Sequence, residues 1–318
     1  MSNKVLVTPR SYIQVRSEME PLLAGCDVIY NDRGRPLTEG EMLGLVSDVD
    51  GILVGIDPIT ERVMKAAPRL KAISKYGAGL DNVDLEAAKR LGIAVSTAPG
   101  TNAVSVAELT IGFLFDLSRH ITQSVTTVKS GVWGRVVGTE LTGKTLGLIG
   151  CGNIGREVAK RARGLEMNML VYDPYFCDQR FLDQYQIQLA DQETILSKAD
   201  YLSLHLPLTE ETQGMMGRPQ FEMMKKTAFL INTSRGLLVR EEDLVWALKN
   251  KIVAGAAMDV FWREPARDHE LLHMDNFLLT PHMAANTVEA VLKMARVATE
   301  NLVSMLSVTQ PNNGLNQA

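Results

Sequence analysis

The chain has 318 residues, of which 46% are hydrophobic and 22% are charged, and its formal net charge is −4. These values are ordinary for a globular protein, indicate about two domains and argue against nucleic acid as a partner. The sequence has neither an apolar stretch long enough to span a bilayer nor a signal-peptide pattern. Three widely spaced cysteines favour a reducing compartment and match no metal-binding pattern. We therefore expect a cytoplasmic protein that binds no membrane and no metal.

The first hundred residues alternate short apolar runs with helical patterns. Such alternation predicts a parallel sheet with helices on both faces, which is an α/β domain. The expected strands cover residues 5–7, 28–30, 51–54, 72–74 and 94–95. Because this part of the chain has no glycine fingerprint, we do not expect it to be the main nucleotide-binding domain.

A long helical pattern follows over residues 102–128. It is apolar around more of its circumference than a surface helix needs. A helix of this kind crosses between domains or packs against a second subunit, and we expect both. The sequence therefore predicts a homodimer.

Residues 145–173 have the pattern of a dinucleotide-binding unit, in which a strand, a glycine-rich loop, a helix and a second strand follow one another. Gly150 allows a tight turn, Gly152 lets the backbone approach a pyrophosphate, and Gly155 lets helix and strand pack closely. The phosphates would lie on the free N–H groups at the helix N-terminus. Asp173 ends the second strand, where its carboxylate would bind the ribose diol and repel a 2′-phosphate. The pattern predicts NAD rather than NADP as the cofactor.

Four more strands are predicted after this unit, over residues 201–204, 228–231, 254–258 and 278–280. In open α/β sheets, ligands bind outside the carboxyl ends of the strands. Arg235 follows one of these ends, and its planar fork of donors suits a carboxylate, although a lone loop arginine is usually solvated. His282 lies between the last strand and a helix among prolines and small residues, which is typical of a functional loop. His269 and His273 are interpreted as structural or exposed.

Taken together, the motifs resemble the D-2-hydroxyacid dehydrogenase family, closest to its phosphoglycerate dehydrogenase-like branch. The matching segments occur in family order at residues 76–84, 100–102, 107–108, 150–155, 204–209, 232–236, 259–261, 264–265 and 281–282. We expect a two-domain α/β fold in which a Rossmann-type NAD-binding domain is inserted into a flavodoxin-like, parallel-sheet substrate domain. The NAD-binding domain would cover residues 100–282, and the substrate domain would cover 1–99 and 283–318. The active site would lie in the cleft between them.

The resemblance implies that Arg235, Glu264 and His282 are the catalytic residues. Reduction of a 2-oxo acid needs a hydride at the carbonyl carbon and a proton at its oxygen, and histidine can supply that proton near neutral pH. Glu264 would orient the ring and favour its protonated form, as the acid does in other triads. Arg235 would hold the substrate carboxylate and polarise the carbonyl.

Further contacts are implied by matching this chain to the family position by position. The loop of residues 75–79 would hold the substrate carboxylate with its backbone amides, and Asp259 would meet the nicotinamide carboxamide. The implied cofactor contacts are Ala78, Gly150, Gly152, Asn153, Ile154, Gly155, Asp173, Leu206, Pro207, Thr233, Ser234 and Asp259. The implied substrate contacts are Lys75, Tyr76, Gly77, Gly79 and Arg235.

The chain departs from the family pattern at two places. Ala284 and Ala285 stand where the family often has Gly-Gly, and their methyl groups narrow the space near the nicotinamide. Phosphoglycerate dehydrogenases commonly have an arginine where Lys75 or Tyr76 stands, and many carry a C-terminal regulatory domain for which this chain ends too soon.

The expected reaction is NAD-dependent hydride transfer between a D-2-hydroxy acid and its 2-oxo acid, with 3-phosphoglycerate as one candidate substrate. The alternatives are a hydroxypyruvate or glyoxylate reductase and, from a different class, a non-catalytic NAD-sensing corepressor.

Overall fold

A computed structural model describes residues 2–176 and 178–308 of the chain. Cys177 and the polar tail 309–318 lie outside the described residues. The chain divides into two compact units. One unit contains the residues up to Asn102 and those from Asn286 onward, and the other is Ala103–Ala285. In the described ranges, no helix is both long and apolar enough to cross a membrane.

The strands are short and the helices vary widely in length. The strands are β1 (Lys4–Val7), β2 (Asp27–Tyr30), β3 (Gly51–Val54), β4 (Ala72–Lys75), β5 (Ala94–Ser96), β6 (Thr145–Ile149), β7 (Asn168–Tyr172), β8 (Ile187–Leu189), β9 (Tyr201–Leu204), β10 (Phe229–Asn232), β11 (Gly255–Met258) and β12 (Phe277–Leu279). The helices are α1 (Arg16–Met19), α2 (Glu39–Leu43), α3 (Glu61–Lys65), α4 (Leu85–Arg90), α5 (Ala103–Arg119), α6 (Ile121–Lys129), α7 (Asn153–Gly164), α8 (Gln179–Tyr185), α9 (Gln192–Lys198), α10 (Arg218–Met223), α11 (Glu241–Lys249) and α12 (Val288–Val308).

The first unit is built on a parallel five-stranded sheet with the order β2-β1-β3-β4-β5. This is the flavodoxin-like strand order. Alternate residues of one strand enter different cores, since Ile52 packs among the residues around α2–α4 and Leu53 packs against α12. A strand buried on both faces appears in the sequence as a mostly apolar run, and this is why β1, β3 and β4 could be predicted.

The second unit is built on a parallel seven-stranded sheet with the order β12-β11-β10-β9-β6-β7-β8. Counted from β6, this is the Rossmann order, and it confirms the predicted fold class. The strand order reverses between β6 and β9, so ligands are expected beyond the carboxyl ends of these strands. Strand β8 was not predicted, because it is three residues long and two of them are exposed.

The single helix predicted over residues 102–128 is wrong, because the structure has two helices there. His120 adopts a left-handed backbone with φ 54°, which cannot continue a right-handed helix. Helix α5 buries one face and packs against α7. Helix α6 has no buried residue, although Ile121, Val125 and Val128 form an apolar stripe on it.

Candidate active site and cofactor loop

The glycine loop after β6 has room for a ligand at one glycine and none at the two others. Gly150 has φ +97°, and a Cβ built on it would lie 2.3 Å from the carbonyl oxygen of His205. A Cβ on Gly155 would lie 2.3 Å from the carbonyl oxygen of Gly150. Gly152 has nothing within 4 Å of its Cβ position and no side-chain cap on the helix that it precedes. The open backbone and uncapped N-terminus of α7 therefore fit a dinucleotide pyrophosphate.

The residues in and beside this loop differ in how far they are buried and hydrogen-bonded. The Asp173 carboxylate accepts the backbone N–H of Cys151 at 2.7 Å and that of Tyr175 at 3.0 Å, so it is tied to the glycine loop. Asn153 is exposed and Ile154 is half-buried at the start of α7. Burial raises the pKa of the Cys151 thiol to about 12, so this cysteine remains a neutral thiol at physiological pH.

The turn after β10 carries Arg235 and is held by side-chain hydrogen bonds. The Asn232 amide donates to the carbonyl of Arg235 at 2.8 Å, and its oxygen accepts the N–H of Ser234 at 3.0 Å. The Ser234 hydroxyl donates to the carbonyl of Leu204 on the neighbouring strand at 2.8 Å. Thr233 is buried, with its hydroxyl 3.3 Å from that of Thr110. The fixed turn leaves the Arg235 side chain partly exposed at the edge of the sheet.

Gly236 brings the Arg235 turn against the loop that carries Glu264. A Cβ on Gly236 would lie 2.4 Å from the carbonyl carbon of Phe261 and 2.8 Å from the backbone nitrogen of Trp262. Only glycine permits this approach of two backbones. No role was predicted for Gly236, although a glycine directly after an arginine in a turn is a signal for close backbone contact.

Glu264 and His282 form the central contact of the site. Glu264 Oε2 lies 2.8 Å from His282 Nδ1, and their side chains are 28% and 38% exposed. Burial opposes ionisation of Glu264, but the hydrogen bond and charge of His282, the N–H of Phe261 and the charge of Arg235 together lower its pKa. The three residues named as catalytic follow the adjacent strands β10, β11 and β12. Glu264 and His282 form a carboxylate–imidazole pair, and the Arg235 guanidinium is close enough for its charge to lower the pKa of the carboxylate.

Asp259 fixes the turn in which His282 lies. Its carboxylate is 1% exposed and accepts the Thr280 hydroxyl, the Met283 N–H at 2.9 Å and the Ala284 N–H at 2.8 Å. Burial raises the pKa of Asp259 and outweighs these hydrogen bonds, which act to lower it. The family resemblance assigns Asp259 to the nicotinamide and does not indicate its bonds to the His282 turn. The groups that Asp259 bonds there lie more than twenty positions along the chain.

His282 itself has φ 52°, in the left-handed region that non-glycine residues seldom adopt. Its backbone N–H donates to the Thr280 carbonyl at 2.9 Å, which closes the turn. Unusual backbone conformations persist when surrounding contacts determine them, and they concentrate at functional sites. Here the surrounding contacts are those of Asp259.

Predicted cofactor contacts on the remaining strand end are only partly buried. Leu206 is half-buried and Pro207 is exposed just beyond β9. His205, which precedes them, is buried, and its Nε2 lies 2.9 Å from the Ser203 hydroxyl. Burial lowers the pKa of His205 to about 3, so the ring is neutral at physiological pH. Its carbonyl is the group that excludes a side chain from Gly150.

In the first unit, the predicted substrate loop begins with two anchored side chains. The Lys75 ammonium is buried and donates to the Gly55 carbonyl and to Asn82 Oδ1. The Tyr76 hydroxyl donates to the Val291 carbonyl at 3.1 Å and accepts from Ser11 at 3.2 Å. Burial raises the pKa of Tyr76 to about 12. These side chains support the loop, and the residue that is exposed on it is Ala78.

The loop's two glycines differ in backbone conformation. Gly77 has φ +120° and its carbonyl accepts the N–H of Ala98 at 2.8 Å, whereas Gly79 has no such left-handed angle. A left-handed angle of this kind is accessible to glycine and strained for other residues. The conformation of the loop therefore depends on Gly77.

Comparison with known proteins identifies a family for the chain. Residues 111–284 match the D-isomer specific 2-hydroxyacid dehydrogenase family in its NAD binding domain, which confirms the predicted cofactor. The chain is 42% identical over 261 residues to a D-3-phosphoglycerate dehydrogenase of Archaeoglobus fulgidus, covering 81% of this chain and 49% of that protein. It is 39% identical over 298 residues to a glyoxylate reductase of Thermofilum pendens, covering 90% and 87%.

The fold likeness extends to solved structures. The crystal structure of a glyoxylate reductase from Paecilomyes thermophila has a TM-score of 0.84 and 28% identity, covering 96% of each chain. This chain spans about half the length of the D-3-phosphoglycerate dehydrogenases that it matches. Sequence and fold agree, and the chain belongs to the D-isomer specific 2-hydroxyacid dehydrogenase family.

Proposed function

We propose that the protein catalyses NAD-dependent hydride transfer between a D-2-hydroxy acid and its 2-oxo acid. The observation that carries this proposal is the hydrogen-bonded pair of Glu264 and His282, with the Arg235 turn packed beside it. A carboxylate that orients an imidazole is the arrangement used for general acid–base catalysis. The same sheet carries the glycine loop, which has the features of a dinucleotide site.

Each of the three residues has a chemical role in the proposed reaction. Because Glu264 engages Nδ1 of His282, the ring has Nε2 left to donate a proton to the carbonyl oxygen in reduction and to accept it in oxidation. Glu264 holds the ring and balances its positive charge. Arg235 binds the substrate carboxylate with its planar donors, which fixes the carbonyl for attack.

Bound NADH would supply the hydride, and the glycine loop would hold its pyrophosphate. Asp173 would accept the ribose hydroxyls, while Thr233, Ser234 and Asp259 would lie toward the nicotinamide. Leu206 and Pro207 would line the adenosine side. The backbone of residues 77–79 would contribute amides for the substrate carboxylate, supported by Lys75 and Tyr76. These assignments follow the family's motifs, and the geometry of Gly152 is the local feature that favours them.

The substrate class is a small 2-oxo or 2-hydroxy acid. The candidates are 3-phosphoglycerate, hydroxypyruvate and glyoxylate, which correspond to the names of the relatives. The Lys75 ammonium and the Tyr76 hydroxyl bond to protein groups instead of pointing to a phosphate site. This favours the substrates that have no phosphate. We therefore rank glyoxylate and hydroxypyruvate above 3-phosphoglycerate.

A panel assay tests this function directly. The purified protein would be incubated with NADH or NADPH and each of several 2-oxo acids, and with NAD and 3-phosphoglycerate, while NADH absorbance is followed. We expect turnover of at least one 2-oxo acid with a preference for NADH. Tight NADH binding without turnover of any acid would contradict an enzyme and favour the NAD-sensing alternative. A preference for NADPH would contradict the role given to Asp173.

We further propose that the protein acts as a cytoplasmic homodimer. Helix α6 is nine residues long and buries none of them, and a helix of this length is marginal in water on its own. The following segment exposes Trp133 at 84% and Val137 at 93%. Several large apolar side chains left exposed along one stretch of chain are typical of a subunit contact. A second copy of the chain would cover it, and mass measurement by light scattering would give twice the mass of the chain.

A further inference from the structure

The loop that carries Glu264 has few contacts of its own in its central part. It connects β11 to the 3-10 turn Glu270–His273, and Arg263, Pro265, Arg267 and Asp268 are all exposed. An exposed loop is mobile unless its ends are held. The catalytic role proposed for Glu264 therefore needs an anchor elsewhere in the loop.

His269 provides one end of this anchor. Its Nδ1 accepts the backbone N–H of Leu271 at 3.1 Å, and its Nε2 lies 2.5 Å from Glu241 Oε1 at the start of α11. Because a backbone N–H can only donate, Nδ1 has no proton and Nε2–H donates to Glu241. The His269 side chain is 17% exposed and that of Glu241 is 43% exposed, so the ring is largely shielded from water and the carboxylate is not. Both ring nitrogens have a partner.

Aromatic packing provides the other end. The Trp262 ring lies nearly parallel to the His269 ring, at 17° and 6.0 Å between centroids, and Phe261 meets both rings edge-on. Trp262 Nε1–H donates to the Val239 carbonyl at 2.7 Å. Two bonds therefore join the loop to the chain that leads into α11, one at Val239 and one at Glu241.

The cluster is directly connected to the catalytic pair. The Phe261 backbone N–H donates to Glu264 Oε1 at 3.0 Å, and the other carboxylate oxygen bonds His282. A continuous set of contacts thus runs from Glu241 through His269 and the aromatic rings to Phe261 and the carboxylate. All of these residues lie in the second unit.

We propose that Glu241 and His269 are positioning residues that hold the Glu264 carboxylate against His282. The proposal rests on the function proposed above, because it deepens the role of that site. Neither residue touches the reacting groups. Their loss lets the loop move and leaves the imidazole without a fixed partner, which lowers the rate of the chemical step more than the affinity for substrate.

Kinetics of Glu241→Ala, with Glu242→Ala as the control, test the proposal. Glu242 is the next acid in the same first turn and is exposed, so its variant reproduces the lost helix-terminal charge without breaking the anchor. We expect kcat of Glu241→Ala to fall about tenfold while KM changes less than about twofold, because misplacement of a catalytic group acts on the chemical step. Glu241→Gln, which retains an acceptor oxygen, should recover most of the lost rate.

A double variant separates positioning from general destabilisation. In the Glu264→Ala background, Glu241→Ala should cause no further loss of kcat, because the group that it positions is already absent. Additive losses, or equal losses in Glu241→Ala and Glu242→Ala, would overturn the proposal.

Hydrogen–deuterium exchange gives a readout that does not depend on activity. Exchange of the backbone over residues 259–270 should rise in Glu241→Ala and His269→Asn and stay unchanged in Glu242→Ala. Unchanged exchange in all three variants would refute the anchor. If exchange rises but the wild type reduces no 2-oxo acid, the anchor stands and the proposed function fails.

Discussion

The glycine loop after β6 and the turns after β10, β11 and β12 lie at the same end of one parallel sheet, but they are built by different means. In the glycine loop, missing side chains decide the structure, since Gly150 and Gly155 contact backbone that leaves no room for a Cβ. In the turns, charged side chains bond to groups at distant positions, as the Asp259 carboxylate bonds to the backbone N–H groups of the His282 turn. The first region depends on a local spacing of residue types, and the second depends on pairs that only the folded sheet brings together.

Within the glycine loop, an added methyl group should be damaging to the fold only at the packed glycines. Gly155→Ala places a Cβ against the Gly150 carbonyl and should cost about 1–3 kcal/mol of folding free energy. Gly152→Ala has open space and φ −72°, so its melting temperature should stay close to that of the wild type. Its affinity for NADH should nevertheless fall, because the methyl group stands where the backbone would approach the pyrophosphate. Thermal melts and NADH titrations check both expectations, and equal melting temperatures for the two variants would refute the distinction.

In the turns, replacement of one carboxylate oxygen of Asp259 by an NH2 group should be enough to lower both stability and kcat. Asp259→Asn sets an NH2 group against backbone donors at Met283 or Ala284, and a buried donor without a partner costs about 1–3 kcal/mol. The His282 turn should loosen, and kcat should fall with stability. Asp275 is an exposed carboxylate between Asp259 and His282, so Asp275→Asn is the matched control. Urea denaturation and steady-state kinetics measure the two effects, and an Asp259→Asn variant that behaves like Asp275→Asn would contradict the structural role.

The smallest effect is expected at Glu264, where stability should depend on pH. Its folded pKa lies below the ordinary value of 4.5, so ionised Glu264 contributes stability that is fully present above that value and is lost as the pH falls through the folded pKa. Glu264→Gln should therefore be less stable than the wild type at pH 7, by less than about 1 kcal/mol because the pair is partly exposed. The difference should shrink in acid. Thermal melts at pH 7 and below pH 4.5 measure the difference in stability between the two proteins. A difference that grows as the pH falls below 4.5 would contradict the expectation.

Much of the fold could be predicted because its signals are local. Buried parallel strands such as β3 and β9 are mostly apolar runs, and their predicted and observed bounds are the same. The interruption at His120 was missed, since a left-handed residue inside an apolar helical pattern leaves no mark in the sequence. Helix α7 begins at Asn153, inside the glycine motif, because the glycine loop continues directly into the helix.

The candidate site was predictable in its residue types and only partly in its connections. Arg235, Glu264 and His282 were identified from motifs that resemble a family, and the structure adds the 2.8 Å contact between two of them. The bonds of Asp259 to the His282 turn and of His269 to Glu241 join positions more than twenty residues apart. Pairs at such distances leave no periodic pattern in the sequence, and only the folded structure shows them.

The measurement that tests the central claim most directly is the turnover number of His282→Ala on the 2-oxo acid that the wild type reduces fastest. His273→Ala is the control, since His273 is an exposed histidine in the same part of the chain. Loss of the general acid should lower kcat of His282→Ala by about a hundredfold or more, with NADH affinity retained. His273→Ala should turn over like the wild type. Near-normal turnover by His282→Ala would contradict the assignment of the chemistry to the turns of β10, β11 and β12.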